Sequence, residues 1–134
     1  NKMKNSKVFV DLSCTLIHHG HIRLLKKASR LGKVTVGLTT DKEIKKHKGY
    51  TPELKFAFRK EILKAIKYVE KVIPCNYKVD NVYLKKNKVD LFVRGYDYKS
   101  EKFSIKTLIF SRTKGISSSK IRKIIKKRKY KNEK

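Results

Sequence analysis

Cysteine is nearly absent. Cys14 and Cys75 are the only two in 134 residues, far apart and in no paired motif, which excludes a secreted disulfide scaffold and a zinc ribbon. Apolar runs are short as well: none approaches the about 18 residues of a membrane span. The lysine-rich start has neither the apolar core nor the small-residue cleavage site of a signal peptide. A soluble protein of the reducing cytoplasm, without membrane contact, is therefore expected. Internal repeats and linkers are missing too. One domain over residues 1–134 is expected, with a frayed basic tail over about 128–134, and it is long enough to bury roughly two-thirds of the surface its unfolded chain exposes.

Acidic residues are the last scarcity. Eleven Asp plus Glu face 37 Lys plus Arg, a formal charge of +26, so any polyanion feels this surface. The cations run from Lys2 to Lys134 instead of forming one arm. A solvated lysine-biased surface, steering of small phosphorylated ligands and nucleic-acid binding all remain open at this point, nucleic acid being the least favoured.

What is present is an alternation of strands and helices. Lys7 to Ser13, "KVFVDLS", is short, β-branched and apolar, the pattern of a buried strand. Gly20 to Leu31 places Ile22, Leu24, Leu25, Ala28 and Leu31 at helical spacing, with Gly32 as the stop. "KVTVGLT", from Lys33 to Thr39, is a second strand, which completes a βαβ unit. The lysines of "DKEIKKHKG" follow as a loop. Pro52 then opens a helix to about Lys67 with Leu54, Phe58, Ile62, Ala65 and Ile66 on one face. Strands are expected at Tyr68 to Pro74, Val89 to Gly95 and Lys106 to Phe110, and helices at Val82 to Lys88 and Ser117 to Lys127. The implied fold class is α/β, a single doubly wound parallel sheet of Rossmann-like type.

In such a sheet, ligands bind beyond the carboxyl ends of the strands, and Ser13 to His21 lies at one of those ends. Three of the four histidines are here, in "IHHGHIR". Gly20 lets the backbone approach a bound group, the helix start offers amide N–H groups to an anion, and imidazole donors can follow charge that grows on a phosphoryl oxygen. The spacing is not that of HExxH and no carboxylate or cysteine pair accompanies it, so metal ligation is not expected. Near the other end, "RTKGISSS" (Arg112 to Ser119) precedes a helix, where hydroxyls and amides can wrap phosphate oxygens and Arg112 can grip them.

Together the two segments resemble a known family. "HHGH" looks like the HxGH signature of the nucleotidyltransferase superfamily, and "RTKGISSS" is similar to the RTxGISST motif of its cytidylyltransferase branch. "KVTVGLTTDKEI", "FRKEILKAIKYVEKVIP" and "VDLFVRGYD" extend the likeness over residues 7 to 123, and the glycerol-3-phosphate and phosphonate-pathway cytidylyltransferases are the types it resembles. The resemblance implies transfer of CMP from CTP to a small phosphorylated alcohol, glycerol 3-phosphate being the first guess, with release of pyrophosphate. A phosphonate acceptor or adenylyl transfer from ATP is the alternative.

It further implies catalytic roles for His18, His21, Lys48 and Arg112, with His19 dispensable. Ser13, Gly20, Asp97, Arg112, Thr113, Ile116, Ser117, Ser118 and Ser119 would hold the nucleotide, and Arg59 and Lys48, with Lys46 as substitute, the acceptor phosphate. Mg²⁺ would accompany the triphosphate, and a homodimer is the family expectation. Two departures stand out: Thr15 where relatives commonly have aspartate, and Gly95-Tyr96-Asp97-Tyr98 where they often read GDD.

Overall fold

The computed structural model describes residues 5–95, 102–111 and 113–133. The elements follow in the order β1 (Lys7–Leu12), α1 (His19–Ser29), β2 (Lys33–Thr39), α2 (Asp41–Lys48), α3 (Phe56–Lys64), β3 (Lys71–Cys75), α4 (Asn81–Lys86), β4 (Leu91–Gly95), β5 (Lys106–Phe110) and α5 (Ser118–Glu133). The five strands form one sheet in the order β3-β2-β1-β4-β5, and every neighbouring pair is parallel. The chain thus winds outward from β1 in one direction and from β4 in the other. Their carboxyl ends diverge at the point where a doubly wound sheet binds ligands.

Both faces of the sheet are covered, which is why its central strands are apolar without alternation. Val8 and Val10 face Leu25 and Ala28 of α1 and Leu63 of α3. Phe9 points the other way, into a cluster with Val79, Leu84 and Phe92. Its ring lies 5.6 Å from that of Phe92 and 5.7 Å from that of Tyr83. Across the ladder, Gly37 of β2 leaves the space this ring fills: a Cβ there would sit 2.1 Å from Phe9 Cζ.

Four expectations are corrected. The lysine-rich segment after β2 is not a loop but the helix α2, started by Thr40, whose Oγ1 accepts from Glu43 N, and ended at Gly49. The next helix begins at Phe56, not at Pro52, because Asp41 Oδ2 accepts the Phe56 amide at 3.1 Å. Its buried residues are Arg59 and Leu63, whereas Phe58 and Ile62, expected inside, are 55% and 40% exposed. An arginine occupies a core position of this helix, which turns the apolar stripe by about one residue. At the end of the chain α5 continues past Lys127 to Glu133.

Gly37→Ala should lower stability by about 1–3 kcal/mol, the cost of overpacking a close-packed interior. Adding Phe9→Leu should recover part of it, as read from paired urea-unfolding curves; equal stability of parent and Gly37→Ala would mean that the Phe9 contact is not tight.

Candidate active site

A cavity of about 410 Å³ opens at the carboxyl ends of β1, β4 and β5, between the N-termini of α1 and α5. His18 is the N-cap of α1 and forms a capping box with His21. The Gly20 amide donates to His18 Nδ1 at 3.1 Å, and the His18 amide donates to His21 Nδ1 at 3.1 Å. With both Nδ1 atoms accepting, each ring carries its proton on Nε2. The helix amide expected to meet a ligand directly is thus taken by His18, and the imidazoles become the donors that the α1 terminus presents. The two rings lie 3.9 Å apart between centroids. Gly20 is required by this arrangement, since a Cβ would come within 2.8 Å of His18 Cε1. His19 is exposed and its side chain does not line the cavity.

Burial, together with the nearby His18, pushes the His21 pKa down to about 3, so this ring is neutral at pH 7 and acts as a hydrogen-bond donor, not as a cation. Burial raises the Cys14 and Cys75 thiols to about 12, which keeps both protonated and excludes thiolate attack.

The opposite wall is the start of α5. Ser117 Oγ accepts the Lys120 amide at 3.1 Å as a cap. Ser118 Oγ donates to Leu16 O at 2.9 Å and accepts from Leu16 N at 3.2 Å, so this hydroxyl docks α5 onto the loop that carries His18. One turn later Arg122 donates to Thr15 Oγ1 at 2.6 Å and to both Glu53 oxygens at 2.6 and 2.7 Å. On the floor, Asp11 and Arg94 form a buried fork at 2.7 and 3.2 Å. Arg23, Lys27, Lys48 and Arg122 bring positive charge to the cavity, and its one carboxylate among the described residues is Asp11. The arrangement suits a polyanion held by donors and cations at two helix starts.

The sequence model described as cytidylyltransferase-like matches residues 15–124. The chain belongs to this family. It is 38% identical over 117 residues to a glycerol-3-phosphate cytidylyltransferase of Staphylococcus aureus, covering 80% of this chain and 85% of the relative. It is 34% identical over 125 residues to the protein of the same name from Bacillus subtilis, covering 89% and 96%. A lipopolysaccharide core biosynthesis protein from Thermoplasma volcanium shares the fold, with a TM-score of 0.70 at 21% identity over 81% of this chain and 98% of the other.

This cytidylyltransferase-like chain is a nucleotidyltransferase, and the residues its sequence singles out are unevenly placed. His18, Gly20, His21, Ser13, Lys48, Thr113, Ile116, Ser117, Ser118 and Ser119 line this cavity. Arg112 and Asp97 lie outside the described residues. Lys46 is exposed and does not line the cavity. Arg59 departs most from expectation. It is 0% exposed, and its donors go to Leu54 O, Ser13 O, Thr39 O and Asp41 Oδ1 at 2.6–2.9 Å. The guanidinium expected on the acceptor phosphate holds the backbone behind the cavity wall instead. Arg122 and Tyr50, which also line the cavity, went unnoticed in the sequence. No local signal marks Arg122, which lies in a helix rich in Lys and Arg.

The residues do not form a metal cage: among the described residues no group of three His, Cys, Asp or Glu side chains could hold an ion, and Asp11 is paired with Arg94.

Two measurements follow. Arg59→Ala should cost about 2–5 kcal/mol of stability, because it empties a fully buried position and leaves the carbonyls of Ser13, Thr39 and Leu54 without their donor, and urea unfolding reads this directly. For His21, a folded pKa near 3 against an ordinary 6.5 means that the unfolded chain binds the extra proton between those values. Its contribution is present above pH 6.5 and is lost as pH falls toward 3, at up to about 1.4 kcal/mol per unit. The parent should lose more stability than His21→Asn between pH 7 and pH 4.5; parallel losses would show that the ring titrates normally.

Proposed function

We propose that the cavity binds CTP and a small phosphorylated alcohol, with glycerol 3-phosphate the first to test, and transfers CMP to give a CDP-alcohol and pyrophosphate. The observation that carries this reading is the pair of imidazoles whose Nδ1 atoms accept backbone amides and leave Nε2 to donate, between two helix starts in a cationic cavity, in a chain similar to two glycerol-3-phosphate cytidylyltransferases.

In this reading an oxygen of the acceptor phosphate attacks the α-phosphorus in line, the new P–O bond forms, and the bond to the β-phosphate breaks with its electrons leaving on pyrophosphate. His18 and His21 Nε2–H donate to oxygens on the α-phosphorus and strengthen as charge accumulates there. A neutral His21 ring suits this task, since its donor needs no proton transfer. The α5 start, with Thr113 and Ser119, holds the outer phosphates, and Lys48 draws the acceptor phosphate to the opposite end. Mg²⁺, expected with the triphosphate, would supply charge neutralisation; the described side chains offer it no cage of three ligands.

The test is pyrophosphate release by purified protein with Mg²⁺ and either CTP or ATP, against a panel of phosphorylated and phosphonylated alcohols. Turnover with CTP is expected, and silence across the panel overturns the reading. Replacing His18 or His21 with Ala should cut turnover about 10²-fold or more, while His19→Ala leaves it near the parent's. Equal damage at all three positions would show that the motif acts through folding alone, and His18→Asn, which keeps a capping side chain, checks the same point.

A further inference from the structure

Tyr50 walls the cavity near Lys48, in the segment between α2 and α3. From Tyr50 to Glu53 this segment belongs to no helix or strand, and its hold on the site comes from across the cavity. The Arg122 guanidinium lies 4.8 Å from the Tyr50 ring centroid and forks onto Glu53 through Nε and Nη2. Its Nη2 also donates to Thr15 Oγ1, on a residue that is 1% exposed. Arg122 is therefore fixed by the loop preceding His18 and fixes the rim in turn. Arginine suits this position because its planar group stacks and forks at once, which lysine cannot do. The same pairing holds the Glu53 carboxyl below its usual range, so the fork is charged at neutral pH.

We propose that Tyr50 sets the size of acceptor this enzyme takes, and that the Arg122–Glu53 clamp holds its ring in that position. Tyr50 is a specificity-determining residue, and Arg122 and Glu53 are positioning residues. The inference rests on the nucleotidyl-transfer reading with the acceptor at the Lys48 end. A ring pinned by a guanidinium cannot swing aside for a longer chain, so the acceptor end stays short. Removing the ring, or releasing the clamp while the ring remains, opens the same end by two separate routes.

The experiment compares kcat/KM for a three-carbon and a five-carbon polyol phosphate, with CTP, in the parent, Tyr50→Ala, Tyr50→Phe and Glu53→Gln. Tyr50→Ala and Glu53→Gln should each shift the ratio toward the longer acceptor by about tenfold or more, the scale of a pocket that gains room for extra methylenes. The KM for CTP should stay within about twofold, and Tyr50→Phe should keep the parent ratio. An unchanged ratio in Tyr50→Ala overturns the role of the ring. A shift in Tyr50→Ala without one in Glu53→Gln overturns the clamp, and a change confined to the CTP constant places Tyr50 at the wrong end.

Amide hydrogen exchange over residues 50–55 gives a readout independent of turnover. Glu53→Gln should exchange faster there with β1 and β4 unaltered, and identical exchange overturns the clamp. A parent that turns over neither acceptor while the rest of the panel is also silent overturns the nucleotidyl-transfer reading, and the exchange result still decides the clamp.

Discussion

Behind the cavity one guanidinium is buried where four segments meet, and the geometry of the site depends on it. Arg59 Nη1 donates to Ser13 O and Thr39 O, the chain just past β1 and the last residue of β2; Nη2 reaches Asp41 at the start of α2, and Nε takes Leu54 O. An uncompensated charge inside a protein would cost several kcal/mol, yet here the donors meet carbonyls that would otherwise lack partners at the strand ends. The second oxygen of Asp41 receives the first amide of α3. Strand ends, the loop before His18 and two helices are thereby fixed relative to one another by a single side chain, and the imidazoles inherit that rigidity.

The same logic runs through the chain's charge. With few carboxylates to spend, the fold assigns those around the site to arginines: Asp41 to Arg59, Asp11 to Arg94, Glu53 to Arg122. Each pairing uses the planar fork or shares it with carbonyl or hydroxyl oxygens, the geometry in which arginine outperforms lysine. The cavity lysines Lys27 and Lys48 stay exposed. The excess of positive charge around the cavity thus follows from neutralising the acids locally and leaving the flexible cations unspent for phosphate.

Much of this was legible in the sequence, for reasons that differ by element. β1, α1, β2 and β5 lie close to their expected spans because their apolar residues are numerous and their periods clear. The two motif segments could be assigned to one end of the sheet because each follows a strand and opens a helix. α2 was not legible: Ile44 is its one buried residue, so no apolar period announces it, and its start depends on the Thr40 cap. The face of α3 was misjudged because hydrophobic patterning has no place for a buried arginine, whose burial depends on carbonyls from three other segments. Arg122 could not be told from the surrounding cations, since its partners Thr15 and Glu53 lie 107 and 69 positions away in the chain.

Ser118 docks α5 on Leu16 across 102 residues, so the two walls of the cavity are joined by a contact of long sequence separation. The histidines sit with β1 and α1, while the helix start that completes their cavity follows β5. Contacts of such sequence separation are made late, after the entropy of closing the long loop has been met. Until that loop closes, His18 and His21 stand on one wall of the cavity without the α5 start that faces them.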